Sequence, residues 1–163
     1  MELWDQEIEP YAQSLERLEA ANLANLTFCV IEESIPLIGP PFGCYFPSDH
    51  AALIESVLAF RLDHLTDWRS DSEFAANFLA RYDGLPDVAV RPAVGPFFMA
   101  LVRIFEAFDH PMSADEAMEI LSCCYESILM SHLTGRVTLK DEQNSDQCVA
   151  AIDSQVEIIR AHI

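Results

Sequence analysis

Positive charge is scarce in this chain. Nine of its 163 residues are Lys or Arg, against 27 Asp or Glu, which gives a formal net charge of −18. Binding to nucleic-acid phosphates needs a basic face, and nine cations scattered among so many acids are too few to build one. An anionic membrane surface is disfavoured for the same reason. Glycine is also sparse, at five residues. None falls in a Gly-x-Gly-x-x-Gly fingerprint, a P-loop or a Gly-x-Ser-x-Gly elbow, so those nucleotide and hydrolase signatures are excluded. No apolar run approaches the ~20 residues that span a bilayer. The opening Met1-Glu2-Leu3-Trp4-Asp5 has neither the basic nor the apolar region of a signal peptide. The five cysteines, Cys29, Cys44, Cys123, Cys124 and Cys148, are odd in number and contain no Cys-x-x-Cys pair. They read as small hydrophobes in a reducing compartment, and the expectation is a cytoplasmic protein.

What is present is apolar content, 51% of the chain, enough for the core of a single domain over 1–163. The apolar residues recur at helical spacing. A first helix is expected from Glu9-Pro10 through Leu15, Leu18, Leu26 and Val30 to Pro36. Gly39 to Pro47 holds three prolines and two glycines and reads as an ordered loop carrying Phe42, Tyr45 and Phe46. A second helix is expected from Ser48 to about Trp68, and a third over Phe74 to Tyr82 after a Ser70–Glu73 capping box. Leu85 to Pro92 reads as a loop with a short extended piece at Val88-Ala89-Val90. A fourth helix, from about Ala93 to Asp109, is apolar on most sides and therefore central. Ser113–Glu116 is a second capping box, opening a fifth helix to Leu133. Arg136 to Leu139 reads as loop or strand, and Lys140 to Ser145 as a polar turn. The last helix carries Val149, Ile152, Val156, Ile159 and Ile163 as one stripe. The consistent architecture is an all-α bundle of about six helices.

Motifs for chemistry are thin. Asp49-His50, Asp63-His64 and Asp109-His110 pair a carboxylate with an imidazole, but helix neighbours point about 100° apart. A di-iron site needs Glu-x-x-His on two helices. Glu106 and His110 come nearest, and their spacing is one residue too long. His-Glu-x-x-His and calcium-loop patterns are absent. Cys123-Cys124 has no positive neighbour to activate a thiol. The sequence therefore implies no enzyme, no metal site and no cofactor. A helical enzyme or ligand-binding site would rest on His64, Glu106 and His110, with the aromatic loop as a wall.

The acids cluster at Glu2, Asp5, Glu7 and Glu9, at Asp115, Glu116 and Glu119, and at Asp63, Asp67, Asp71 and Glu73 around Trp68. Acids flanking an aromatic anchor suit a basic protein partner, so Asp63, Asp67, Trp68, Asp71 and Glu73 are the candidate partner-binding residues. In size, charge and lack of catalytic motifs the chain is similar to immunity proteins and antitoxins. That resemblance implies an inhibitor that covers a basic toxin, such as a nuclease. The alternatives are the helical enzyme and a dimer joined by the last helix.

Overall fold

Helix starts are where this sequence speaks most directly. Ser113 accepts from the Glu116 N–H at 3.2 Å, while Glu116 Oε2 accepts from the Ser113 N–H at 2.8 Å. The expected box is thus complete, and it opens a helix of 19 residues. The computed structural model describes residues 1–39, 45–63 and 71–163. Its helices are α1 (Glu2–Glu7), α2 (Ala12–Leu15), α3 (Ala20–Ser34), α4 (Ser48–Asp63), α5 (Ser72–Asp83), α6 (Val94–Glu106), α7 (Ala114–His132), α8 (Leu139–Gln143) and α9 (Asp146–His162). There is no strand among the described residues, and the Val88–Val90 piece is loop. No helix among them is long and apolar enough to cross a membrane.

The chain packs around α7. Its buried residues Ala117, Ile120, Leu121, Cys124, Tyr125 and Ile128 follow the three- and four-residue steps of one broad face. α6 lies along one side of α7, while α3 and α9 pack on α7 and on each other. α6 buries Phe97, Phe98, Leu101, Ile104 and Phe105, as expected for a central helix. α5 packs on α6 and on α4. Phe74 of α5 stacks on Phe60 of α4 with ring centroids 3.7 Å apart. Each large apolar side chain removed from water contributes about 1.5–3 kcal/mol, so this layer of rings is a principal source of stability.

Four expectations need revision. The first helix is divided. A 3-10 turn at Glu9–Tyr11 leads into α2, the chain leaves the helix after Leu15, and α3 begins only at Ala20. No proline or glycine marks the break. Leu15 is fully buried and α2 packs on α7, so tertiary burial overrides a helical propensity that runs straight through. Second, the N-cap of α5 is Asp71, which accepts from the Phe74 N–H at 2.9 Å. The expected cap, Ser70, lies outside the described residues. Third, the turn after Arg136 contains α8. Thr138 and Asp141 form a capping box there, with Asp in the place that usually holds Glu or Gln. Fourth, α1 was not anticipated. Six residues are too few for a helix in isolation, and α1 is held from far along the chain.

That hold is polar and buried. Glu142, 2% exposed, accepts from the Glu2 and Leu3 N–H groups at 2.9 and 3.2 Å and from Tyr125 Oη at 2.7 Å. Trp4 Nε1 donates to Gln155 Oε1 at 3.0 Å, and Gln155 Nε2 donates to the Leu121 carbonyl. The carboxylate thereby satisfies N–H groups that any helix start leaves open. The stripe of α9 is partly spent inside the chain, with Val156 half-buried against the core. Ile152 and Ile159 are buried, whereas Val149 and Ile163 are exposed.

Candidate functional site: an acidic groove between two helices

α3 and α9 pack through their inner residues, and their outer shoulders leave a groove of about 440 Å³. α3 contributes Cys29, Glu32 and Glu33 to it, and α9 contributes Ser154, Glu157, Ile158, Ala161 and His162. The spacings are i, i+3, i+4 and i, i+3, i+4, i+7, i+8, so each helix presents a single face. Leu26 and Val30 on α3, and Gln155 and Ile159 on α9, point into the core. Cys29, Ile158 and Ala161 give the groove apolar surface. Carboxylates stand on both walls.

The electrostatics of the α3 wall are shaped by α4. Arg61 is 7% exposed, and its guanidinium lies 5.2 Å from the centre of the Phe28 ring. Burial pushes the Glu32 carboxyl above the ordinary carboxylate range; Arg61 offsets part of that rise, and Glu33 adds to it. Burial likewise raises the Cys29 thiol, with Glu32 reinforcing the effect, while Arg61, which hydrogen-bonds the sulfur, opposes it. A half-buried carboxylate beside a second carboxylate gains from any further cation brought to it. At the far end of the groove the His162 ring nitrogen Nδ1 is 2.8 Å from the Ile158 carbonyl oxygen.

The residues singled out from sequence are distributed differently. Asp63 and Glu73 are exposed. Asp71 is half-buried and capped onto α5, so one of its oxygens is engaged. Asp67 and Trp68 lie outside the described residues, as does His64. Arg61 nevertheless brings the C-terminal end of α4, where Asp63 stands, to the Cys29–Glu32 side of α3. Glu106 and His110 do not form a pair. Glu106 is bridged by Arg103 at 3.1 Å, and His110 lies 3.3 Å from Glu116. Arg103 also binds Glu119 at 3.0 Å. Among the described residues no group of three or more His, Cys, Asp or Glu is placed to hold a metal ion.

The aromatic loop is partly described, Phe42 and Cys44 falling outside. Phe46 is buried against Phe97 and Phe98, at 5.6 and 6.4 Å between centroids. Tyr45 lies under the Arg91 guanidinium at 4.7 Å. These two rings dock on the core. Of the adjacent cysteines of α7, Cys124 is buried and Cys123 half-buried. Burial pushes Cys123 up to about 11, helped by Glu119, and Cys124 up to about 12. At pH 8 a thiol with a pKa near 11 is about one part in a thousand thiolate. Iodoacetamide at that pH is expected to leave both unlabelled in the folded protein and to label them once urea unfolds it. Mass mapping of the alkylated peptides checks this, and rapid native labelling at Cys124 would contradict it.

Glu32, Glu33 and Glu157 were not singled out from sequence. Their signal is a polar row beside an apolar row on each of two helices. Which two helices would lie side by side is a tertiary fact that the rows do not contain. The chain matches no protein-family model, and neither a curated protein nor a solved structure matches it.

Proposed function

We propose that this chain is a protein-binding domain whose partner presents a basic face, acting in the manner of an immunity protein or antitoxin that neutralises a toxin by covering it. The observation that carries the reading is the excess of carboxylates. If every Lys and Arg were paired one to one, 27 minus nine, or 18, acids would still lack a cation. Three of the described cations also contact groups other than carboxylates. Arg81 donates to Ser56, Arg160 to Tyr11, and Arg91 covers Tyr45. A field of one sign accelerates encounter with a cationic surface and selects against acidic partners. The α3–α9 groove, with Asp63 at the end of α4, supplies a concave acidic surface for such contact.

The test is capture from a lysate of the source organism on immobilised protein, at about 0.01 M and then about 1 M salt. Between these the screening length falls from about 30 Å to about 3 Å. The expected result is a basic protein held at low salt, released at high salt, and inhibited in its own activity by an equimolar amount of this chain. Retention of nothing at low salt, or of a protein whose binding ignores salt, overturns the reading.

A further inference from the structure

We infer that the groove between α3 and α9 is a receptor for a single arginine side chain presented by the basic partner. The inference rests on the partner reading above and gives it an anchor. The groove is open to solvent, and its volume of about 440 Å³ has room for a single long side chain. Its chemistry is amphipathic. Ile158, Ala161 and Cys29 offer apolar surface for an aliphatic stem, and Glu32 and Glu33 face Glu157 across the opening. A side chain with a methylene stem and a cationic head matches that division.

Arginine fits better than lysine. Its planar fork can engage carboxylates on two walls at once, and it is more weakly hydrated than an ammonium group, so it loses less on entering a half-buried site. The fold already uses this chemistry on the same wall, where Arg61 rests on Phe28 beside Cys29 and Glu32. Arg61 supplies one positive charge against three carboxylates, so an entering guanidinium still meets a net negative site. Ser154, half-buried on the α9 wall, adds a neutral acceptor.

The test is an amide NMR titration of the full chain with N-acetyl-arginine-N-methylamide. Parallel titrations use the lysine and norleucine analogues and Ca²⁺. Saturable shifts are expected at the amides of 29–33 and 154–162, with the arginine probe binding several-fold more tightly than the lysine one. The double variant Glu33→Gln/Glu157→Gln changes exposed side chains and is expected to keep the wild-type circular dichroism. It should weaken the arginine probe by roughly tenfold, or about 1.4 kcal/mol. No saturable shift in the groove overturns the inference. So do equal responses to arginine, lysine and Ca²⁺, which would show a diffuse field, and so does binding that survives in the double variant. The two readings fail separately. A captured partner that binds the double variant as well as wild type removes the groove and leaves the partner. Arginine binding with no protein captured removes the partner and leaves the groove.

Discussion

Replacing Phe105 with Ala is expected to cost about 4 kcal/mol of stability, within the 3–5 kcal/mol range for truncating a buried Phe. Phe105 is 1% exposed. Its ring lies 4.4 Å from that of Phe78, 5.6 Å from Phe74 and 5.4 Å from Phe108. Phe74 in turn stacks on Phe60, so this one residue joins α6 to α5 and, through it, to α4. Rings at these separations contribute about 0.5–1.5 kcal/mol per pair beyond the area they bury. A domain of this size holds only about 5–15 kcal/mol in total, so a large fraction is at stake. Urea unfolding followed by circular dichroism measures the loss, and Phe105→Leu should recover most of it. A loss under about 1.5 kcal/mol would mean that neighbouring rings close the cavity, and the view of Phe105 as a linchpin would be wrong.

Glu142→Ala is expected to be nearly as damaging, at about 3 kcal/mol, through a different mechanism. The substitution removes little apolar area. It strands two backbone N–H groups and the Tyr125 hydroxyl that the carboxylate serves. Hydrogen bonds to a charged group are worth about 1.5–3 kcal/mol each, and abandoned buried donors carry their own desolvation cost. The melting temperature should fall by about 10 °C, taking 2–4 °C per kcal/mol for a chain of this length. Tyr125→Phe removes one donor and should cost less. A double-mutant cycle between the two positions should show that they are coupled. With Trp68→Phe as background, the fluorescence of Trp4 should shift to the red in Glu142→Ala before global unfolding, because α1 loosens first. If the emission instead stays blue until the whole chain melts, Glu142 is not what holds α1.

These two residues also mark what the sequence discloses and what it hides. Phe97 to Phe108 reads as a central helix because it is apolar on most sides, and the structure buries Phe97, Phe98, Leu101, Ile104 and Phe105. Ser113 with Glu116 specifies a helix start within four residues, so it needs no tertiary knowledge. The break between Leu15 and Ala20 has no local cause. It exists because Leu15 and the buried face of α3 both reach α7, and a linear pattern does not record a shared neighbour. Glu142 reads as one more surface acid in a polar turn, because its three donors come from positions 2, 3 and 125. The groove is hidden in the same way. Glu32, Glu33 and Glu157 become neighbours only when α3 and α9 pack. The reading of the chain as a binder for a basic partner comes from charge, whereas the location of the carboxylates comes from the fold.

The anchoring of α1 also has a consequence for the order of events during synthesis. Its partners, Glu142 and Gln155, lie 140 and 151 residues away from the groups they bind. A ribosome delivers α1 well before those partners, so α1 stays without its seat while some 140 further residues are made. At about 5–20 residues per second, that wait is on the order of ten seconds. Trp4 and Leu3 stay available to chaperones or to wrong neighbours throughout, and loop closure over such a span is slow compared with the local pairing of α6 and α7. The nascent chain can thus pair α6 with α7 as they emerge, while α1 is sealed only once Glu142 and Gln155 have been made.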